Sequence, residues 1–284
     1  MGKRDRTPLP LAPGPSPLAE IHFAGYRERM LASCLIIAHA GASFDSPENT
    51  VAAARLAWQQ RADAVETDVH ITRDGALVCS HDASTLRRTG YDGLIESLPL
   101  KQLTALDAGA WKDPKFAGET IPTLEQLLDT VPPGKRVVIE LKCKRDISAE
   151  LRAALLRSQI PPKQIDLIAF DAALLSAARA ANPDCAAYWL AGHTADAAPE
   201  AHFQALDQLI ARAKQLRFDG LNLNHSWPID ATFVNRVHAA ALKLYVWTVN
   251  DADIAARLRD AGVDGITTDR PGWLREQLDP SSCA

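Results

Sequence analysis

The chain has 284 residues, 47% hydrophobic and 23% charged, which is enough for two ordinary domains or one large α/β barrel. Its 31 Lys and Arg against 35 Asp and Glu leave a net charge of −4, so neither nucleic acid nor an anionic membrane surface is implied as a partner. No apolar run approaches the roughly 18 residues of a membrane span.

Residues 1–33 are expected to be a flexible, proline-rich extension. Five prolines between Pro8 and Pro17 interrupt any apolar stretch that could serve as a secretory signal. Leu31-Ala32-Ser33-Cys34 has the form of a lipoprotein cleavage box, but Arg27, Glu28 and Arg29 stand where its hydrophobic segment belongs. Met30 is a candidate start, since folded-looking sequence begins just after it. The cysteines (Cys34, Cys79, Cys143, Cys185 and Cys283) are odd in number and scattered, with neither metal-ligand spacing nor a disulfide framework. A reducing, cytoplasmic setting is the expectation.

From Leu35 onward, short apolar runs alternate with amphipathic segments. Strands are expected at Leu35–Gly41, Ala64–His70, Arg136–Lys142, Gln164–Phe170, Ala186–Gly192, Gly220–His225, Lys243–Asn250 and Gly265–Asp269. A further extended run, Ala76–Asp82, follows the Asp74-Gly75 turn. The first helix is expected over Pro47–Arg61, with Ser46 as N-cap and Pro47 at its first position. Later helices are expected at Ala149–Ser158, Ala172–Ala181, Phe203–Arg217, Ala231–Ala241 and Ala252–Ala261. This alternation over some 250 residues predicts one parallel (β/α)₈ TIM-type barrel across residues 34–284, with an insertion at about 83–118 after strand two. The open doubly wound sheet is the alternative, but its phosphate fingerprint is absent.

The chemistry concentrates at strand ends. Alternate residues of a strand share a face, so Glu66 and Asp68 point together while Val65 and Val69 face the helix layer. The same parity sends Glu140 and Lys142 together, opposite Ile139 and Leu141. Three acids at the C-terminal rim repel one another unless a cation sits among them, and carboxylate oxygens select Mg²⁺ or Ca²⁺ over softer metals. The alternative reading is a set of solvated rim charges, with Glu140 paired to a nearby Lys or Arg. His39 and His81 each end an apolar run beside these acids and suit a proton-transfer pair, though a lone strand-end histidine is commonly structural. His70 shares the face of Glu66 and Asp68 and is read as structural. Trp58, Trp111, Trp189, Trp227 and Trp273 read as packing residues. Asn222 and Asn224 fit either the barrel mouth or buried hydrogen bonds.

These residues fall in ordered blocks. Ala38-His39-Ala40-Gly41-Ala42-Ser43, Pro47-Glu48-Asn49-Thr50, Glu66-Thr67-Asp68-Val69, Thr72-Arg73-Asp74-Gly75 and His81-Asp82 are followed by Glu140-Leu141-Lys142, Trp247-Thr248-Val249-Asn250 and Asp264 through Pro271. Together they resemble the glycerophosphodiester phosphodiesterase family, over Leu35 to about Leu278. The resemblance implies a barrel hydrolase that uses a divalent cation, Mg²⁺ or Ca²⁺, and cleaves glycerophosphodiesters to sn-glycerol 3-phosphate and an alcohol. It implies Glu66, Asp68 and Glu140 as metal ligands and His39 and His81 as the acid/base pair; His39 is expected as base and His81 as acid, with the reverse left open by the sequence. It implies Lys142 at a phosphate oxygen and Trp247 as an apolar wall for the substrate. One departure stands out: the family has arginine after the first histidine, and here that residue is Ala40. Arg73, Arg87 or Arg88 is expected to reach the phosphate instead. A catalytically silent phosphate-binding barrel, or an enzyme acting on lysophospholipids, is the alternative function.

Overall fold

A computed structural model describes residues 34–192 and 199–278. The expectations for residues 1–33, including the cleavage-box segment up to Ser33, lie outside the described residues. Among the described residues nine strands form one sheet: β1 Leu35–Ala38, β2 Ala64–Ile71, β3 Leu77–Cys79, β4 Arg136–Leu141, β5 Ile165–Ala169, β6 Ala186–Ala191, β7 Gly220–Asn224, β8 Lys243–Trp247 and β9 Gly265–Thr268. The order β1-β9-β8-β7-β6-β5-β4-β2-β3, with β1 also pairing β2, closes eight parallel strands into a barrel. β3 is the exception, folding back antiparallel on β2 with Val69 opposite Cys79. This is the expected (β/α)₈ architecture, and the extended run after the Asp74-Gly75 turn is the return arm of a hairpin rather than a barrel strand.

Strand parity divides the core in two. Outward residues such as Val65, Val69, Ile139 and Leu141 join the helices in the large outer core. Inward residues Ile37, Ala64, Val138, Ile168, Tyr188, Leu190 and Tyr245 fill the barrel. Tyr188 and Tyr245 stack at 4.3 Å between ring centroids. Two glycines make room for them: a Cβ on Gly220 would lie 2.6 Å from the Tyr188 ring, and one on Gly265 would lie 2.9 Å from that of Tyr245. Below the rings, the fully buried Asp166 is held by Arg136 and accepts from the Tyr245 hydroxyl at 3.2 Å. The barrel is therefore plugged at this end and open at the C-terminal ends of its strands.

The first helix departs from expectation. It runs Val51–Gln59, and its N-cap is Thr50, whose Oγ1 accepts from the Ala53 amide, not Ser46. Asn49 holds a left-handed φ of 54°, which no helix continues through, so Pro47 lies in the preceding turn. Between β3 and the capped helix Leu124–Leu128, the chain makes short helices at Leu86–Thr89 and Leu100–Leu103 and packs a small core of Val78, Ile95, Leu103, Ala108 and Ile121. Among the described residues no helix is long and apolar enough to cross a membrane.

Candidate active site

The open end of the barrel gathers the three acids. Parallel pairing sets Asp68 of β2 opposite Glu140 of β4, and the parity that buries Ala64 inside brings Glu66 to the same face. One oxygen from each of Glu66, Asp68 and Glu140 falls within 4.8 Å of the other two. Glu66 Oε2 accepts the Ala40 amide at 2.8 Å, and Asp68 Oδ2 accepts Asn49 Nδ2 at 2.7 Å. Their other oxygens are buried and have no hydrogen-bond partner; Asp68 Oδ1 has only the charge of Lys142, whose Nζ is 3.2 Å away. Lys142 also lies 2.9 Å from Glu140, so the pairing foreseen in the alternative reading is real, but one ammonium offsets only one of three charges.

The electrostatics follow. Burial first, then repulsion from Asp68, pushes Glu66 up to about 8 and Glu140 up to about 7. Asp68 is held below its ordinary value: burial opposes its charge, but Lys142, the two histidines and Asn49 outweigh it. Buried acceptor oxygens that converge with no hydrogen-bond partner are a hard-oxygen donor set, and the residues present fit a divalent cation.

Both expected histidines face this cluster, and each carries an aspartate at Nδ1. His39 Nδ1 lies 2.7 Å from Asp269 Oδ1, and His81 Nδ1 lies 2.8 Å from Asp82 Oδ1. A carboxylate beside Nδ1 keeps the proton on that nitrogen and leaves Nε2 for a substrate. Asp269 is itself fixed by Ser43 Oγ at 3.0 Å and Asn250 Nδ2 at 2.6 Å. Burial opposes a charge on His39, yet the Asp269 hydrogen bond and the nearby Glu66 and Asp68 raise its pKa to about 9. Asp82 is gripped from behind by Arg87 at 2.6 Å. His70 is structural as expected: its Nε2 meets the backbone oxygen of His81 at 3.2 Å, and burial lowers its pKa.

Two cavities flank the histidine pair and share it. One, of about 320 Å³, reaches Glu66, Glu140 and Lys142 on one side and Ile168, Phe170, Leu190 and Trp247 on the other. Trp247 meets Phe170 edge to face at 5.7 Å and anchors its indole N–H on the Asn222 carbonyl at 3.1 Å. The other, of about 300 Å³, runs from the histidines past Ala40 and Asp68 to Phe44, Trp111 and Lys112. Trp111, expected as packing, thus stands at a cavity wall. Asn222 borders the first cavity, while Asn224 caps the turn at Ser226.

The arginines expected to reach the phosphate are placed elsewhere than on the cavity walls. Arg88 is buried, and its guanidinium donates to the carbonyls of Glu48 and Cys79. Arg87 is committed to Glu48 and Asp82, and Arg73 is exposed on the β2–β3 turn; none of the three borders either cavity. Sequence reasoning also passed over Asn49, Asp269, Ser43 and Lys112. Asn49 and Asp269 lay within the quoted blocks, but no strand parity or charge pattern gives a role to a residue in an irregular loop.

The model of the glycerophosphoryl diester phosphodiesterase family matches residues 39–273. A glycerophosphodiester phosphodiesterase of Caldanaerobacter subterraneus is 31% identical over 247 residues, covering 84% of this chain and 96% of its own. One from Bacillus subtilis is 28% identical, covering 84% of each. Among solved structures, an Oleispira antarctica phosphodiesterase in complex with the product sn-glycerol-3-phosphate is 32% identical, with a TM-score of 0.74 over 86% of this chain and 96% of its own. The chain belongs to the glycerophosphoryl diester phosphodiesterase family.

Proposed function

We propose that residues 34–284 are a metal-dependent phosphodiesterase domain that hydrolyses glycerophosphodiesters to sn-glycerol 3-phosphate and an alcohol. The observation that carries this reading is the convergence of three buried carboxylates and two aspartate-braced histidines on one opening. Glu66, Asp68 and Glu140 are the residues to hold the cation, Mg²⁺ or Ca²⁺ by the hardness of their oxygens. When bound, such an ion would offset negative charge on a phosphodiester and favour loss of a proton from the nucleophile.

The chain's own groups supply the rest. Lys142, already between Asp68 and Glu140, places an ammonium where a phosphate oxygen can share it. Trp247 with Phe170 gives an apolar wall for one arm of the diester. Proton transfer falls to the histidines. His39, whose pKa is raised by Asp269, enters as imidazolium and protonates the leaving alkoxide; His81 accepts a proton from the water whose oxygen is added to phosphorus. This is the reverse of the roles expected from sequence; both histidines carry an aspartate at Nδ1, and what supports the choice is that Glu66 and Asp68 add to the pull of Asp269 on His39. For the compartment we infer the cytoplasm. The described cysteines are free thiols, and burial pushes Cys79 up to about 12 and Cys185 up to about 11.

A substrate panel tests the function. Glycerophosphocholine, glycerophosphoethanolamine, glycerophosphoglycerol and a lysophospholipid are each incubated with protein and Mg²⁺ or Ca²⁺, and sn-glycerol 3-phosphate is measured. Release from the water-soluble diesters is the expected result. Turnover of the lysophospholipid alone shifts the substrate class, and no turnover with any of them leaves a silent binder.

A further inference from the structure

In the cavity lined by Ala40, the charges fall into pairs with one exception. Glu48 is held by Arg87, Asp68 faces Lys142 and Asn49, and Asp269 serves His39. Lys112 differs: its Nζ donates to the Ser43 carbonyl at 2.8 Å, and among the described residues no carboxylate lies within ion-pair reach of it. One neutral carbonyl takes one of its three N–H donors, and the Trp111 ring, 5.9 Å from the ammonium, gives it a cation–π contact but no counter-charge. Ala40, on the wall of the same cavity, contributes no charge of its own.

The segment that delivers Lys112 is built to hold it there. The Asp107 carboxylate accepts the amides of Gly109, Ala110 and Gly118, at 2.8, 2.9 and 2.9 Å. A Cβ on Gly109 would lie 2.0 Å from the Phe116 oxygen, so only glycine permits this close return of the backbone. Trp111 is pinned through its indole N–H to the Ala108 carbonyl at 2.8 Å. A long, rotamer-rich lysine thus starts from a fixed base on the cavity it shares with both histidines.

We propose that Lys112 is a substrate-binding residue, its ammonium taking a non-bridging oxygen of the diester's phosphate in the cavity it shares with His39, His81 and Ala40. This rests on reading the site as a phosphodiesterase. It supplies the cation that Arg73, Arg87 and Arg88 do not, and it does so from a segment distant in sequence from every other site residue.

The test uses the full chain with Mg²⁺ and compares Lys112→Met, Lys112→Gln, Lys112→Arg and, as a control, the exposed Lys101→Met. Two quantities are read: the equilibrium dissociation constant of sn-glycerol 3-phosphate by calorimetry, and KM and kcat for glycerophosphoethanolamine. Losing one charged hydrogen bond is expected to raise both Kd and KM by about tenfold or more in Lys112→Met. Lys112→Gln, which keeps a donor for Ser43 without the charge, behaves the same way and stands in if the Met variant is unstable. Lys112→Arg recovers most of the loss, and Lys101→Met changes neither quantity. Unchanged Kd and KM in both neutral variants overturn the proposal. So does a fall confined to kcat and melting temperature, which would make Lys112 a brace for the Ser43 loop. A parent that neither binds the product nor turns over a diester instead overturns the phosphodiesterase reading, and this inference with it.

Discussion

Asp269→Asn separates a structural aspartate from one that sets the chemistry of His39. The wild-type carboxylate takes three hydrogen bonds, from His39 Nδ1 at 2.7 Å, Ser43 Oγ at 3.0 Å and Asn250 Nδ2 at 2.6 Å. Asparagine keeps the shape and removes the charge. It can present an oxygen to the His39 N–H, but then its own NH₂ meets the NH₂ of Asn250, so one of the three contacts is lost or the imidazole is turned. A hydrogen bond to a charged group contributes about 1.5–3 kcal/mol, which corresponds to a fall in kcat of roughly 10- to 100-fold if it acts in the transition state. The sign of the pH effect is fixed as well. The carboxylate raises the His39 pKa, and in the proposed role His39 works in its protonated form, so activity should fall as pH rises through that pKa. Asp269→Asn lowers the pKa and moves the alkaline limb of kcat/KM to lower pH. Steady-state kinetics from pH 5 to 10, with thermal unfolding as a control for folding, makes the measurement. A variant whose kcat stays within twofold of the parent, with an unmoved alkaline limb, refutes the positioning role.

Four further outcomes follow from the same geometry. Glu66→Gln and Asp68→Asn should weaken Mg²⁺ affinity with the fold kept, read by calorimetry and circular dichroism; unaltered affinity in both would remove the metal assignment. His39→Ala and His81→Ala should each lower kcat by about 10²–10⁴-fold while metal binding is retained, and the double variant should fall well short of the product of the two losses. Without metal, stability should decline as pH rises from about 4.5 to about 8, because Glu66 and Glu140 bind protons more tightly folded than unfolded; Mg²⁺ should therefore raise the melting temperature more at pH 8 than at pH 6, and an equal rise at both contradicts the coupling. Ala40→Arg adds no new backbone strain, since Ala40 already holds φ at 51°, and should raise kcat/KM by up to about tenfold, more in a Lys112→Met background than in the parent.

What was legible in the sequence is what periodicity encodes. Alternation at Val65 through Val69 and at Val137 through Lys142 foretold which side chains enter the barrel, because in a closed parallel barrel each strand residue has only two faces to choose between. The strands and the later helices followed from the same regularity. The positions of Asn49, Asp269 and Lys112 did not, because they depend on loop paths and on contacts between distant segments. Asn49 crosses to Asp68 from a left-handed turn, and that turn also displaced the expected helix start from Pro47 to Val51. Lys112 reaches Ser43 across 69 residues of sequence. Arg87 and Arg88 misled for the opposite reason: their charges were visible, but the acid and the carbonyls that engage them lie on other segments.

The measurement that bears most directly on the central claim is release of sn-glycerol 3-phosphate by the purified chain, first stripped of metal and then resupplied. Followed by ³¹P NMR on glycerophosphoethanolamine, the stripped protein should leave the diester resonance intact, and Mg²⁺ or Ca²⁺ should convert it to the phosphomonoester of glycerol. Conversion at full rate in excess chelator, or none with either ion at any pH between 6 and 9, would contradict the account of a metal-dependent phosphodiesterase built on Glu66, Asp68 and Glu140.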